Sequence, residues 1–351
     1  MVSIRPYEER DNARLLEIEK LSPQGNKDIA MGVDKSPDAI SRYRLYDNWK
    51  ILVAEEKGNV AGWIGWTEKV SEDNKKYIYL VEGIIHPEFR RMGIATKLTS
   101  EAEKYAQEIG SEYIYCYIFW TNEASKALVE KIGYSKIAEW KMCELSAYRE
   151  FKIDEKYQIE RINKNEVPEA VDLINDYYGG QGQFIPYTPE SFESNVNRIP
   201  LYGLENFWVA KYNGKIMACA GLWDSSIIQK VSLMRMPTSF KIMRGIFGFL
   251  SIFTEMPKIP AEGEFFRMHY IADHAFKDPE AMSNLLGYLN NLILNSKRDF
   301  YSMPLDLNDP MLKIVKKFHP QFNPVYIFAK NIKGECPEFG TCYVDVKDLI
   351  L

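Results

Sequence analysis

"HPEFRRMGIATKL", residues 86–98, carries the chain from a strand pattern into a helical one. Upstream, "YIYLVEGII" (77–85) is an apolar run broken by a single carboxylate, and a strand is expected over about 76–85. Downstream, Ile94, Leu98, Tyr105 and Ile109 fall at helical spacing, so a helix is expected over about 95–109, stopped at Gly110. Between them Arg90, Arg91, Gly93 and Ala95 form a cationic turn poor in side chains, and Pro87 ends the strand. The first turn of a helix presents N–H groups with no partner inside the helix, and the helix dipole adds to their pull on anions. With Gly93 and Ala95 keeping side chains out of the way, a pyrophosphate can approach the main chain. The competing reading is a solvated turn whose glycine serves backbone geometry alone. No GxxxxGK[ST] and no GxGxxG occurs, so the phosphate loops of nucleoside triphosphatases and dinucleotide-binding folds are excluded.

The rest of the sequence sets the frame. A chain of 351 residues suggests two domains. A net charge of -5 gives no reason to expect nucleic acid as a partner. The five cysteines, Cys116, Cys143, Cys219, Cys336 and Cys342, form no CxxC pair and suggest reduced thiols. The charged N-terminus does not read as a secretion signal, and the apolar patch Ile242–Phe253 is too short to span a bilayer. The expectation is a cytoplasmic protein with no membrane association.

The chain also repeats itself. "VAEEKGNVAGWIGW" from Val53 and "VAKYNGKIMACAGLW" from Val209 are related by a shift of 156. The shift superposes Val53 on Val209, Ala54 on Ala210, Gly58 on Gly214, Val60 on Ile216 and Gly65 on Gly221. Each copy reads as a hairpin. The same shift places Arg5 on Arg161, Leu15 on Val171 and Ile18 on Ile174, a strand followed by an amphipathic helix in each half. Two α/β domains follow, 1–150 and 151–351, joined near 148–158. In the first, strands are expected near 2–6, 50–56, 60–68, 76–85 and 136–145 and in "YIYCYIFW". Helices are expected near 11–20 and 123–132, and a loop with a second helix across 21–46.

The turn "IIHPEFRRMGIATKL" closely resembles the coenzyme A pyrophosphate loop of the GNAT-type N-acetyltransferase superfamily, whose pattern Arg/Gln-x-x-Gly-x-Gly/Ala is matched by Arg90, Gly93 and Ala95. Downstream, "NEASKALVEKIGY" is similar to a second family element through Asn122, Ser125, Glu130, Lys131, Gly133 and Tyr134. Asn122 also suits a helix N-cap, with Gly133 closing that helix. The resemblance spans roughly residues 2–145. It implies two tandem GNAT-like domains in an α/β (α+β) fold, each a mixed central sheet flanked by helices. It further implies acetyl-CoA as cosubstrate and no metal. The pyrophosphate would lie on the backbone of Arg91, Met92, Gly93, Ile94, Ala95 and Thr96 beside Arg90, with Asn122 and Ser125 from the second element. The pantetheine arm would follow the strand through Ile84, Ile85 and His86, where a backbone N–H near Ile84 or Ile85 would steady the oxyanion.

The acceptor amine must lose a proton, and Glu82 is the first candidate for the base. A salt-bridged or edge-facing glutamate is the structural alternative. Tyr79 is the reserve, on the opposite face of an unbulged strand, although a bulge at Gly83 would reset the alternation. The family's tyrosine acid falls at Val129 here, so Tyr117 substitutes or the thiol leaves unassisted. Tyr113, Tyr115, Tyr117 and Phe119 otherwise read as packing on one strand face, and His86 as an exposed neutral histidine. In the second half the matching helix opens on Lys-Asp-Pro-Glu, where Asp278 and Glu280 disfavour an anion, so coenzyme binding is expected to be absent. His269, Asp273 and His274 suggest local hydrogen bonding over a metal site. The apolar stretch Ile242–Phe253 is expected to pack between the domains, beside an acceptor cleft at their junction; a homodimer surface is the other reading. A small-molecule amine ranks first as acceptor, then a protein N-terminus or lysine. A non-catalytic acetyl-CoA-binding sensor or interaction module is the reading from a different class.

Overall fold

The structure is a computed structural model that describes residues 2–334 and 340–348. Cys116, Cys143 and Cys219 are buried free thiols, Cys342 is buried, and Cys336 lies outside the described residues. The first part of the chain runs β1 (Ser3–Pro6), α1 (Asn12–Lys20), β2 (Gln24–Gly25), β3 (Ala30–Asp34), β4 (Trp49–Glu56), β5 (Asn59–Val70), β6 (Lys76–Ile85), α2 (Ile94–Glu108), β7 (Tyr113–Phe119), α3 (Glu123–Lys131) and β8 (Ser135–Ser146). It continues with β9 (Gln158–Arg161), α4 (Val167–Tyr178), α5 (Pro189–Arg198), β10 (Phe207–Tyr212), β11 (Lys215–Trp223), β12 (Lys230–Arg235) and α6 (Thr238–Leu250). Last come β13 (Met268–Phe276), α7 (Pro279–Asn295), β14 (Phe300–Asp306), α8 (Met311–Val315) and β15 (Gln321–Asn331).

Contacts divide the chain into two compact units. Unit 1 comprises Met1–Glu139, Ile228–Arg235 and Pro324–Phe339; unit 2 comprises Trp140–Ile227, Met236–Asn323 and Gly340–Leu351. In unit 1 the strand order is β1-β4-β5-β6-β7-β15, with β6 and β7 parallel and the other pairs antiparallel. A separate small sheet in the same unit has the order β12-β3-β2. Unit 2 has the order β8-β14-β13-β11-β10-β9, with β13 and β14 as its parallel pair. Two strands from the second half of the sequence, β12 and β15, thus build unit 1, and most of β8 from the first half builds unit 2.

The repeat seen in the sequence is a repeat of structure. Both hairpins turn on two residues, Lys57-Gly58 (φ 52° and 81°) and Asn213-Gly214 (φ 50° and 76°). Two successive positive φ values define the type I′ turn that matches the twist of paired strands. Leu15 and Ile18 bury one face of α1, and Val171 and Ile174 bury the same face of α4. In each unit a parallel β-α-β crossover carries the longest buried helix face. The α2 residues Ile94, Leu98, Ala102 and Ala106 pack with Ile64, Trp66, Ile78, Leu80 and Ile114. In unit 2, Leu285, Leu286, Leu289 and Ile293 of α7 pack with Ala218, Ala220, Ile271, Tyr301 and Met303.

Two expectations fail. The stretch 21–46 holds no α-helix; it forms β2, β3 and a 3-10 turn at Tyr43–Leu45. Pro23 and Pro37 lack the donors a helix needs, and Gly25 sits at φ 137°. The apolar stretch Ile242–Phe253 does form a helix, α6, yet none of its residues is buried. Its half-buried stripe is Phe240, Met243 and Phe247. A second stripe faces out, with Ile242 61%, Phe249 62% and Phe253 73% exposed. The burial expected of this stretch is not found among the described residues.

The two kinds of apolar residue should respond differently to substitution. Leu98→Ala, in the sealed core, should cost about 2–5 kcal/mol in urea unfolding. Ile252→Asp, at a position 72% exposed, should stay within about 0.5 kcal/mol of the parent.

Candidate active site

One surplus residue shapes the site. Leu80 pairs with Trp66 and Glu82 pairs with Gly65, which leaves Val81 as a bulge in β6. Strand side chains alternate, so without a bulge Tyr79 and Glu82 would lie on opposite faces. With it, Ile78 and Leu80 look toward α2 while Tyr79 and Glu82 share the other face. The expectation that Tyr79 opposes Glu82 is corrected. The bulge lies at Val81, and Gly83 pairs in register with Ile64. Gly65 has its own reason to lack a side chain: a Cβ there would lie 2.1 Å from the Tyr43 hydroxyl oxygen. Tyr43 therefore lies over Gly65, beside the carboxylate opposite.

Glu82 is buried to 5% exposure of its side chain and forms an ion pair with the fully enclosed Lys35. Lys35 Nζ also lies 2.8 Å from Glu19 Oε1. Arg42, buried on the same side, donates from Nη2 to the Tyr79 hydroxyl at 3.0 Å and from Nη1 to the Val81 carbonyl at 3.5 Å. Burial pushes Glu19 up to about 7 against the pull of Lys35. Burial pulls Lys35 down, but Glu19 and Glu82 outweigh it and raise it above its ordinary value. Burial and the neighbouring Glu82 push Tyr43 well above the usual phenol range. The tyrosines expected as packing do pack: Tyr79 stacks on Tyr115 at 5.1 Å and tilts against Tyr117 at 5.2 Å. Val129 sits in the α2 core cluster, so no phenol occupies that place. Glu82, Tyr79 and Tyr117 thus gather around one sheet face, joined by Glu19, Lys35, Arg42 and Tyr43, which the sequence reading missed. Glu19 carried a weak signal, since it follows Ile18 on the buried side of α1.

Beyond the bulge β6 loses one neighbour. The β6–β7 register runs from Ile78↔Ile114 to Leu80↔Cys116 and stops, while β7 continues along β15 to Phe119. Glu82 to Ile85 pair with β5 alone among the described strands. The strand leads into a 3-10 turn, Pro87–Phe89, and then into α2. His86 is buried, not exposed as expected, because its ring packs edge-on against Phe89 and its Nδ1 accepts the Glu88 N–H at 3.2 Å. Arg90 Nε donates to the Ile85 carbonyl at 3.1 Å.

The mouth of α2 is open. Gly93 is the N-cap at φ 75°, with no side-chain cap. A Cβ at Gly93 would meet no atom of the chain within 4 Å, so within the protein it is the backbone angle that calls for glycine. Arg91 is also left-handed at φ 64°, and Met92 is 50% exposed. The mouth of α7 differs. Its N-cap Asp278 accepts the Glu280 N–H at 2.8 Å and the Tyr157 hydroxyl at 2.6 Å. There the chain's own carboxylate fills the anion position. Asn122 caps α3 by accepting the Ser125 N–H at 3.2 Å.

Unit 2 repeats the bulge in altered form. Gly221 clears space for Tyr202, whose hydroxyl would lie 2.2 Å from an added Cβ. Asp273, at φ 48°, lies in the irregular stretch of β13 opposite Ala220. It accepts from Tyr202 and Tyr343, each at 2.7 Å. His274 lies 3.3 Å from the Tyr178 hydroxyl and 3.3 Å from Asp309 Oδ2. The Cys342 N–H donates to Asp306 Oδ2 on β14 at 3.0 Å. Residues 342–343 thereby bond to both strands of the parallel pair. Among the described residues no group of three His, Cys, Asp or Glu is placed to hold a metal.

Residues 16–134 match the model of the acetyltransferase (GNAT) family. No curated protein matches the chain. Among solved structures the chain is similar to a GCN5-related N-acetyltransferase from Sphaerobacter thermophilus, with a TM-score of 0.65 at 12% identity over 96% of this chain and 98% of that one. It is similar to a tandem GNAT protein from the clavulanic acid biosynthesis pathway, with a TM-score of 0.59 at 10% identity over 96% of this chain and 100% of that one. A third likeness is to Saccharomyces cerevisiae N-myristoyltransferase with bound myristoyl-CoA, at a TM-score of 0.61 and 9% identity over 97% of this chain and 82% of that one. At these identities the likeness is one of fold, the tandem GNAT fold.

The two glycines of the site should part in a stability measurement. Gly93→Ala meets no atom and should cost about 1–2 kcal/mol from its left-handed backbone alone. Gly65→Ala collides with buried Tyr43 and should cost more, about 3 kcal/mol or above from overpacking, together with a loss of near-ultraviolet tyrosine signal. Equal unfolding midpoints in urea would contradict this account.

Proposed function

Because residues 16–134 belong to the GNAT acetyltransferase family, we propose that the chain moves an acetyl or short acyl group from coenzyme A to an amine, with a small-molecule amine as acceptor. The observation that carries the reading is the uncapped, cationic mouth of α2 standing at the end of a strand whose second half, among the described strands, has a neighbour on one edge only. Free main-chain N–H groups suit a pyrophosphate. Unpaired strand edge suits the amides of a pantetheine arm, in the manner of an added strand. The pyrophosphate rests on the backbone of Arg91 to Thr96, beside Arg90. The arm follows Glu82 to Ile85.

In the reaction Glu82, directly or through water, takes a proton from the acceptor's ammonium, whose nitrogen keeps the electron pair and attacks the thioester carbon. The carbonyl oxygen gains charge and is held by a backbone N–H near Ile84 or Ile85, an effect of several kcal/mol in such sites. Collapse breaks the C–S bond, the nitrogen sheds its second proton to solvent to leave the amide, and the sulfur leaves as thiolate, protonated by Tyr117 or by solvent. The 1–150 half carries the coenzyme site in this reading, and the 151–351 half, with its mouth closed by Asp278, carries none. A second reading, a coenzyme-binding sensor, is favoured by one observation: Val129 stands in the core where the family places its acid.

Calorimetry with acetyl-CoA, and thiol release with a panel of amines, peptides and protein N-termini, decide between them. Saturable heat with turnover on a small amine is expected. Binding without turnover on any acceptor selects the sensor, and no heat at all removes both readings. Gly93→Glu should weaken coenzyme binding at least about tenfold by placing negative charge at an anion site. Glu82→Gln should bind coenzyme normally and lose about 10²–10⁴ in turnover, the usual span for general-base removal.

A further inference from the structure

We propose that Glu82 acts as one member of a buried Glu19–Lys35–Glu82 triad, with Glu19 and Lys35 as positioning residues that set when Glu82 can accept a proton. The proposal rests on the reading of Glu82 as the base. Lys35 Nζ touches both carboxylates, Glu19 Oε1 at 2.8 Å and Glu82 Oε2 in a closer pair. All three side chains are at most 5% exposed. Each glutamate keeps one oxygen, Glu19 Oε2 and Glu82 Oε1, that is fully enclosed and receives no hydrogen bond from the described residues. Stability alone is a poor reason for such an arrangement, since replacing a buried ion pair by apolar residues is often neutral or favourable.

The charges around the triad come from several elements. Glu19 stands on α1, Lys35 follows β3, Arg42 precedes and Tyr43 opens the 3-10 turn, and Tyr79 and Glu82 belong to β6. Tyr46 and Lys69 border Tyr79, with Lys69 Nζ 5.3 Å from its ring centroid, and Tyr115 and Tyr117 pack on that ring from β7. With both glutamates ionised, Lys35 and Arg42 balance them. When a proton passes from the acceptor's nitrogen to Glu82, Lys35 keeps a full partner in Glu19, and Arg42 keeps the Tyr79 hydroxyl and the Val81 carbonyl as acceptors. Lys35 is held in place from far along the chain, because Asp34 before it pairs with Lys230 of β12.

Opposite displacements test this. In Glu19→Gln, Glu82 loses a like charge and has Lys35 to itself, so the acid limb of kcat/KM should move to lower pH by about one unit. In Lys35→Met the limb should move to higher pH, and Lys35→Arg should restore the parent position. A merely structural role would lower activity at every pH without moving the limb, or would move it the same way in both variants; either result overturns the proposal. If Lys35→Met does not fold, the Glu19→Gln displacement and the Lys35→Arg position decide alone. Carbon-13 NMR titration of labelled glutamate carboxylates gives the same displacements without turnover. A wild-type protein inactive on every amine but with the Glu82 signal displaced in Glu19→Gln would sink the catalytic reading and leave the coupling standing. Full activity with an immobile signal would do the reverse.

Discussion

A single extra residue in a strand decides what faces what. The bulge at Val81 turns Glu82 onto the face of Tyr79 and Tyr43, away from the apolar face that α2 covers. Unbulged, the strand would have to choose between an aromatic face and a carboxylate in a packed helix interface, where an unpaired charge costs several kcal/mol. The same irregularity ends the pairing between β6 and β7, so one departure from regular geometry both aims a carboxylate and bares a strand edge.

The two units show one plan with different endings. In each, a glycine on the second hairpin strand, Gly65 or Gly221, makes room for a buried tyrosine beside an acidic residue at the irregular strand. In each, the parallel pair is in register for three residues and then parts. What differs is who supplies the partners past that point. In unit 1 the helix mouth has glycine for a cap. In unit 2, Asp278 caps the helix, and Tyr343 and Cys342 bond to the parted strands. A polar group satisfied by its own chain has no free-energy reason to recruit a ligand.

Much of this was legible from residue order, and the reasons are local. The hairpins announced themselves through turn residues that need positive φ, and α2 through spacing and a terminal glycine. Asn122 read as a cap because its role is completed three residues away. The misses were long-range. Nothing around Lys35 marks it as an interior residue, since its partners stand 16 positions before and 47 after it in sequence. The side on which Glu82 lies depended on a bulge whose place only the pairing with β5 fixes. Pro23 and Pro37 did carry a signal against helix in 21–46, which the expected pattern overrode. For α6 the apolar composition was read as packing, although composition reports only that a surface is oily, and not what covers it.

The exchange of strands between halves of the sequence bears on how such a chain can be divided. Unit 1 takes β12 and β15 from beyond residue 200, so a gene fragment ending near 150 would encode a sheet missing its outer strand and a small sheet missing one edge. The halves are therefore not interchangeable cassettes. The later half of the sequence supplies scaffolding, because the earlier half is unfinished without it.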